Sequence, residues 1–227
     1  MHITSLQKLY AKEKSALALI IINRIVFSLV LMARVENMIK FKILSNTEKH
    51  IKHNNMKRRC SKYYQLQNPH YDGTYMWSGW EDNKYDTFFV WLDSNYYEID
   101  GEIQMDIDKD IIKYGNKQYH PDLCLIVPHS INTFYETLEV GKTNIKYNFK
   151  TQKYRVKVTD RKKPIISDNI DTYNEALDVY CDIKQGILFN KAKALKDKVP
   201  EKVYNALMNT DIKAINQKYY ESVEGEV

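Results

Sequence analysis

The stretch from residue 102 to residue 132, EIQMDIDKDIIKYGNKQYHPDLCLIVPHSIN, constrains the fold more than any other part of this sequence. Apolar and polar residues alternate from Ile103 to Asp108, and a period of two is typical of a half-buried strand. Three carboxylates stand at its end: Asp106, Asp108 and Asp110. Hard divalent cations such as Mg²⁺ prefer carboxylate oxygens as ligands. The pattern therefore predicts a small metal-dependent site, and a solvated strand edge is the alternative interpretation.

A polar loop that contains His120 follows the predicted strand. Gly115-Asn116 is a turn signal. Pro121 suits the first turn of a helix, where no amide donor is needed, and an apolar run follows at residues 123 to 127. We therefore expect the loop to return toward the carboxylates. There His120 can act in catalysis, because histidine titrates in the useful range.

Short blocks of this sequence resemble phage-encoded proteins related to HNH homing endonucleases. The blocks within the central stretch are Ile107-Asp108-Lys109-Asp110, Gly115-Asn116-Lys117, Tyr119-His120-Pro121, Cys124, Val127-Pro128 and Ile131-Asn132. The flanking blocks are Met56-Lys57-Arg58-Arg59-Cys60, Pro69, Tyr71, Trp80, Phe89, Trp91, Asp171-Thr172, Glu175-Ala176, Tyr180 and Val203-Tyr204-Asn205-Ala206-Leu207. The resemblance spans Thr47 to Ile212 and implies a ββα-metal nuclease module.

Two positions depart from the pattern of active HNH enzymes. In that pattern a metal ligand stands where this chain has Asp108, a general-base histidine where it has Lys109, and a helical Asn or His where it has Leu123. A lysine with an ordinary pKa is protonated at neutral pH and cannot take a proton from water unless it is strongly desolvated. The resemblance therefore implies the nuclease fold, while catalysis requires another base.

The resemblance also implies roles for individual residues. Asp108, Asp110 and His120 are the candidate catalytic residues, and His129 is a second candidate base. Asp106 and Asp108 are the candidate ligands of Mg²⁺ or another divalent cation. Two functions follow: metal-dependent cleavage of DNA strands, or DNA binding by a catalytically inactive protein that keeps the nuclease fold and needs no cofactor.

A second segment, residues 141 to 163, is strongly basic. Its cations are Lys142, Lys146, Lys150, Lys153, Arg155, Lys157, Arg161, Lys162 and Lys163, and its acid is Asp160. From Lys153 to Val158 cations alternate with apolar residues, so a strand would carry them on opposite faces. A cationic sheet face can contact DNA phosphates or enter the major groove. A solvated sheet face is the alternative.

A helix is predicted directly after the basic segment. Thr172 to Glu175 match a capping box, and apolar residues follow at helical spacing to Leu188. Strands backed by a helix resemble the ethylene-response-factor-type DNA-binding domain that phage HNH proteins often carry. The residues that support this resemblance are Lys153-Tyr154-Arg155, Asp171-Thr172, Glu175-Ala176 and Tyr180. It implies double-stranded DNA as the partner and no small-molecule substrate.

Residues 46 to 60 are polar and basic and lack Gly and Pro, which allows a helix. Lys57-Arg58-Arg59 can reach phosphates or can form an ordinary exposed face, and both interpretations stand. His50 and His53 are expected to be solvated rather than to bind a metal. The predicted DNA-binding residues are therefore Lys57, Arg58, Arg59, Lys153, Arg155, Lys157, Arg161, Lys162 and Lys163.

The N-terminal segment, residues 15 to 33, is apolar and long enough to cross a bilayer, but Asn23-Arg24 interrupts its centre. A packed helix, or an extension before a later start at Met38 or Met56, is the alternative that we favour over a membrane span. The three cysteines contain no CxxC pair, so we expect reduced thiols and a cytoplasmic protein.

Together these patterns predict an α+β protein. We expect an N-terminal extension (residues 1–45), an HNH-like ββα-metal domain (46–140), a three-stranded antiparallel sheet packed on a helix (141–196), and a short helix and tail (197–227). The dense aromatic residues between 63 and 97 are interpreted as core rather than as a surface that stacks bases. The polar tail from Asn216 is expected to fray.

Overall fold

The computed structural model describes residues 39–81, 84–141, 143–160 and 163–224. The predicted N-terminal extension up to residue 38, with its apolar segment, and the predicted DNA contacts Arg161 and Lys162 lie outside the described residues. From Ile39 onward the chain forms one compact unit of α-helices and small β-sheets, so the α+β class is confirmed. The finer division at residues 45, 140 and 196 stays a prediction.

The described helices and strands alternate irregularly along the chain. The helices are α1 (Asn46–Cys60), α2 (Lys62–Gln67), α3 (Tyr85–Asn95), α4 (His129–Tyr135), α5 (Tyr173–Leu195), α6 (Glu201–Met208), α7 (Ile212–Ile215) and α8 (Gln217–Glu224). The strands are β1 (Lys40–Phe41), β2 (Tyr75–Met76), β3 (Tyr97–Glu98), β4 (Met105–Asp108), β5 (Gln118–Tyr119), β6 (Leu125–Pro128), β7 (Ile145–Asn148), β8 (Lys153–Asp160) and β9 (Lys163–Ile170). Strand β1 pairs with β3, β2 with β5 and β4 with β6, while β7, β8 and β9 form a three-stranded antiparallel sheet.

Strands β4 and β6 form an antiparallel pair that leads directly into helix α4. The register pairs Met105 with Pro128 and Asp108 with Leu125, and every residue of both strands is buried. Strand β6 is apolar throughout, as is usual for a strand that is covered on both faces. The helix predicted to begin at Pro121 is therefore wrong: residues 121 to 123 form a turn, and the apolar run after them is strand β6.

The predicted half-buried strand from Ile103 is also corrected. Ile103 is 99% exposed, because Gly101, with φ +87°, and the residues after it form a turn, so that β4 begins only at Met105. Asp106 and Asp108 are at most 9% exposed. The interpretation of Asp106 and Asp108 as a solvated strand edge is thus wrong as well, because side chains of α4 contact Asp106 and backbone amides of the following loop contact Asp108.

Aromatic side chains between residues 63 and 97 form much of the core. Trp80 and Phe88 are almost completely buried, and their rings meet edge to face with centroids 5.2 Å apart. The predicted core role is confirmed for Trp80 and Phe88, whereas Tyr63 and Tyr75 are exposed. His53 on α1 is also buried, with Nε2 2.6 Å from the carbonyl oxygen of Trp80 and its ring against Tyr85. The expectation of a solvated His53 is therefore wrong.

The three-stranded sheet has two different faces. Val156 and Val158 on β8 are fully buried, whereas Arg155 and Lys157, which alternate with them along the strand, are exposed. Helix α5 packs on β8 and covers the apolar face. The alternation predicted for this strand is confirmed.

Helix α5 begins with the predicted capping box. The Thr172 hydroxyl accepts from the Glu175 amide, and the Glu175 carboxylate accepts from the Thr172 amide. Farther along, Tyr180 is fully buried, and its hydroxyl lies 3.0 Å from the carbonyl oxygens of Thr137 and Glu139. The helix therefore joins the sheet to the segment that follows α4.

The C-terminal helices are part of the core rather than a frayed tail. Asn216 is fully buried. Its Nδ2 donates to the carbonyl oxygens of Leu138 and Ile212 at 3.0 and 2.9 Å, and its Oδ1 accepts from the Val140 amide at 2.8 Å. The predicted fraying is wrong at Asn216, because this side chain satisfies buried backbone groups of Leu138 and Val140. The end of the predicted tail, residues 225–227, lies outside the described residues.

Replacing Asn216 by Ala should lower the free energy of unfolding by about 2–4 kcal/mol, because buried backbone groups of Leu138 and Val140 lose their partners. Chemical denaturation measures this change. Asn205, exposed on α6, is the matched control, and its replacement by Ala should change stability by less than about 0.5 kcal/mol. Equal small effects of the two substitutions would contradict the linking role of Asn216.

Candidate functional site

The site is built on strand β4 and the start of helix α4. Asp106 and Asp108 are two residues apart on β4, so their side chains leave the same face of the strand. Because β6 runs antiparallel to β4 and ends in Pro128, helix α4 begins beside the start of β4. The His129 amide donates to the carbonyl oxygen of Gln104 at 3.0 Å and fixes this position.

Three side chains donate hydrogen bonds to the Asp106 carboxylate. His129 Nδ1 lies 2.6 Å from Oδ2, Asn132 Nδ2 donates to Oδ2 at 3.1 Å, and Gln104 Nε2 donates to Oδ1 at 2.6 Å. His129 and Asn132 are three residues apart on α4 and therefore share a helix face. A carboxylate only accepts, so Nδ1 of His129 carries a hydrogen and Nε2 is the acceptor of the neutral ring.

The His129 side chain is 50% exposed, whereas the Asp106 side chain is 10% exposed. A buried carboxylate thus orients an accessible imidazole. This is the relation between a general base and the residue that positions it.

Asp108 has a structural role in the turn after β4. Its Oδ1 accepts from the amides of Asp110 and Ile111 at 2.7 and 2.8 Å. Burial and, to a lesser degree, the nearby charge of Asp110 raise the pKa of the Asp108 carboxyl to about 6. Part of the Asp108 population is therefore protonated near neutral pH.

Lys109 holds the loop after β4 and is not placed as a base. It is 6% exposed, and Nζ donates to Asp110 Oδ2 and to the carbonyl oxygen of Asn116, both at 2.7 Å. Asn116 Nδ2 in turn donates to the carbonyl oxygens of Lys109 and Gln118. Nζ of Lys109 is therefore occupied by contacts that close the loop.

A cavity of about 590 Å³ lies against these residues. Its lining includes Arg59, Tyr71, Asp108, Asp110, Tyr119 and Asn132. Arg59 projects from the last turn of α1, where Nη1 lies 3.4 Å from the Tyr119 hydroxyl and the guanidinium lies 5.5 Å from the centre of the Tyr71 ring. Cations, carboxylates and aromatic rings therefore line one concave surface.

The structure separates the two candidate histidines. Neither histidine is among the residues that line this cavity, but their partners differ. Nδ1 of His129 contacts the Asp106 carboxylate, whereas Nδ1 of His120 accepts from the Asp122 amide at 3.1 Å and its ring packs edge to face on Trp77. Leu123, expected on a helix, lies in the turn before β6. Asn132 supplies the helical amide instead. Its position three residues after His129 is a usable signal in the sequence, but the apolar run before it obscures that signal, because the run also fits a helix.

The predicted metal ligands are engaged in hydrogen bonds within the protein. Asp106 accepts from three side chains, Oδ1 of Asp108 accepts from two amides, and Asp110 pairs with Lys109. Within the described ranges no group of three or more His, Cys, Asp or Glu side chains is placed to hold a metal ion. The donor set as arranged here does not fit a divalent cation, and binding of Mg²⁺ stays a prediction.

The predicted DNA-binding residues fall on two surfaces. Lys57 and Arg58 are exposed on α1, and Arg58 lies over the Tyr64 ring at 5.1 Å, while Arg59 turns into the cavity. On the sheet, Lys146 on β7 stands opposite Arg155 on β8.

Other cations of the sheet lie near its ends. Lys153, at the start of β8, forms an ion pair with Asp171. Lys163, at the start of β9, is exposed and stands opposite Asp160. The middle of β8 carries two further exposed cations, Arg155 and Lys157.

No family model, curated protein or solved structure matches this chain. Among the described residues, no helix has the length and apolar character needed to cross a membrane.

Replacing Asp108 by Asn tests the buried carboxyl. Because the pKa of Asp108 rises from 3.8 to about 6 on folding, the wild type is most stable relative to the variant below pH 4. It should lose on the order of 2–3 kcal/mol relative to the variant as pH rises to 7. Urea unfolding of both proteins between pH 4 and 7 measures the difference. If the free energies of unfolding of the two proteins change in parallel between pH 4 and 7, the raised pKa of Asp108 is contradicted.

Proposed function

We propose that this protein binds double-stranded DNA through the exposed face of the β7–β8–β9 sheet. The observation that carries the proposal is the two-faced strand β8. Arg155 and Lys157 project from one face, and Val156 and Val158 are buried on the other. Because α5 covers the apolar face, the cationic face is the one that a partner can reach.

The spacing of the cations suits a phosphate backbone. Lys146 and Arg155 stand opposite each other on neighbouring strands, and Lys157 lies two residues farther along the same face. Such positions are separated by about 5–7 Å. Several phosphates can then be neutralised together, which releases counterions and makes binding strongly dependent on salt.

The resemblance named above supports the same proposal. Three antiparallel strands followed by a helix that packs on them are what an ethylene-response-factor-type DNA-binding domain requires. The two antiparallel strands β4 and β6 followed by α4 have the connectivity of an HNH-like ββα module. We therefore propose a phage-type DNA-binding protein that acts in the cytoplasm of the host cell.

Replacing Arg155 or Lys157 by Ala should weaken binding to duplex DNA. Each substitution should also reduce the slope of log K against log salt by about one for each phosphate that the variant no longer neutralises. Fluorescence anisotropy with a labelled duplex at several salt concentrations measures both effects. Lys202, exposed on α6, is the control whose replacement by Ala should leave the slope unchanged. Unchanged binding by both sheet variants would exclude the sheet as the DNA surface.

Cleavage of DNA strands is a second candidate function, and the Asp106–His129 pair favours it. In this proposal Nε2 of His129 takes a proton from water, the water oxygen forms a bond to phosphorus, and the phosphorus–oxygen bond to the leaving group breaks. The leaving oxygen takes its proton from bulk water. Asp106 orients the imidazole, and Asn132 and Gln104 hold Asp106. DNA binding without cleavage is the alternative.

Replacing His129 by Ala should abolish nicking of plasmid DNA while leaving salt-sensitive binding intact, because the base is removed and the sheet is unchanged. Asp106→Asn should reduce nicking by about 10²–10⁴-fold. His120→Ala is the matched control and should keep wild-type activity. The assay is run with Mg²⁺, with Mn²⁺ and with chelator, which also tests the predicted cation. Equal loss of nicking in His120→Ala and His129→Ala would contradict the assignment, and binding without nicking by the wild type would establish the inactive alternative.

A further inference from the structure

Arg59 is a partly buried cation without an anionic partner among the described residues. None of the described carboxylates lies within ion-pair distance of its guanidinium. The Arg59 side chain makes one long hydrogen bond, to the Tyr119 hydroxyl at 3.4 Å. By contrast, the buried Lys49 and Lys109 are each ion-paired, to Asp93 at 2.6 Å and to Asp110 at 2.7 Å. A guanidinium has five N–H donors, and most of those of Arg59 are left for a ligand.

Removing a cation from water is unfavourable unless an anion or several acceptors replace the hydration. The contact of Arg59 with the face of Tyr71 replaces only part of it. A bound anion would supply the remaining hydrogen-bond acceptors and the opposite charge that the Arg59 guanidinium lacks. A phosphate suits this position best, because the planar guanidinium can donate two parallel hydrogen bonds to it.

Arg59 lines two cavities, each of about 590 Å³, and their charges differ. The cavity that Asp106 lines has five acids, Glu48, Glu98, Asp100, Glu102 and Asp106, and one cation besides Arg59, Lys52. The cavity over Asp108 has four acids, Asp108, Asp110, Glu136 and Glu139, and two cations besides Arg59, Lys109 and Lys117. The excess of acids over cations is thus smaller in the cavity over Asp108. The cavity over Asp108 is therefore the better site for an anion.

The other residues that line this cavity indicate what kind of molecule the phosphate belongs to. Tyr71 and Tyr114 present partly exposed aromatic rings, and Asn132 presents an amide, whereas Tyr119 and Tyr135 line the cavity but are almost completely buried. Aromatic rings stack on bases of any sequence. The volume of about 590 Å³ also lies within the usual range for sites that bind small ligands.

We propose that Arg59 binds the phosphate of a nucleotide in this cavity, with the base or sugar against the tyrosine rings. The nucleotide is either a free mononucleotide or an unpaired residue of a DNA strand. The inference deepens the proposed interaction with DNA by adding a contact for single nucleotides, and it does not depend on the sheet surface.

Titration calorimetry with three probes tests the inference: inorganic phosphate, thymidine 5′-monophosphate and a five-nucleotide single strand. The proteins are the wild type, Arg59→Gln and the control Lys62→Gln, which changes an exposed cation at the start of α2. Loss of charge-assisted hydrogen bonds should raise the Kd by about 10- to 100-fold in Arg59→Gln. Lys62→Gln should leave the Kd within about twofold of the wild type, as expected for an exposed charge.

The probes distinguish the two sources of phosphate. Binding of the mononucleotide that depends on Arg59 supports a free nucleotide, and binding of the single strand alone supports a DNA strand. Absence of binding by all three probes, or equal binding by the wild type and Arg59→Gln, overturns the inference. Tyr114→Ala, which should also weaken binding, provides a second variant should Arg59→Gln fail to fold.

The double variant Arg155→Ala, Lys157→Ala separates this inference from the proposed function. It should lose affinity for duplex DNA and keep the wild-type Kd for the mononucleotide. Loss of both affinities in this variant would show that the cavity does not act independently of the sheet.

Discussion

The buried carboxylate of Asp106 is the constraint on which the central part of this protein depends. A carboxylate that leaves water must be surrounded by donors, and here the donors are Gln104, His129 and Asn132. They come from the residue before β4 and from two successive turns of α4. The β4–β6 register and the start of α4 are therefore tied to one buried charge, and the half-exposed imidazole of His129 is oriented by the same contact.

The loop between β4 and β6 is held by a different network of hydrogen bonds and ion pairs. Asp108 closes a turn, Lys109 is paired with Asp110, and the Asn116 amide donates to the loop backbone. These contacts maintain the structure of the loop. The proposed cleavage chemistry therefore rests on Asp106, His129 and Asn132.

The sheet and the central unit are joined through the segment after α4. Tyr180 on α5 and Asn216 near the C-terminus both hydrogen-bond to backbone groups between residues 137 and 140. The cationic face of β8 is thereby held on the same compact unit as the cavity beside Arg59. The proposed duplex surface and the proposed nucleotide site are therefore separate parts of one compact unit.

Local sequence patterns by themselves determined the two-faced strand at Arg155 and Lys157, the capped helix after Thr172 and the aromatic core around Trp80, because alternation, capping and aromatic density act over a few residues. Only the tertiary structure decided that the run after Leu123 is a strand, since a segment buried on both faces has no period to read. The pairing of Asp106 with His129 and the burial of Asn216 joined residues distant in the sequence, and such contacts follow from packing rather than from any local pattern.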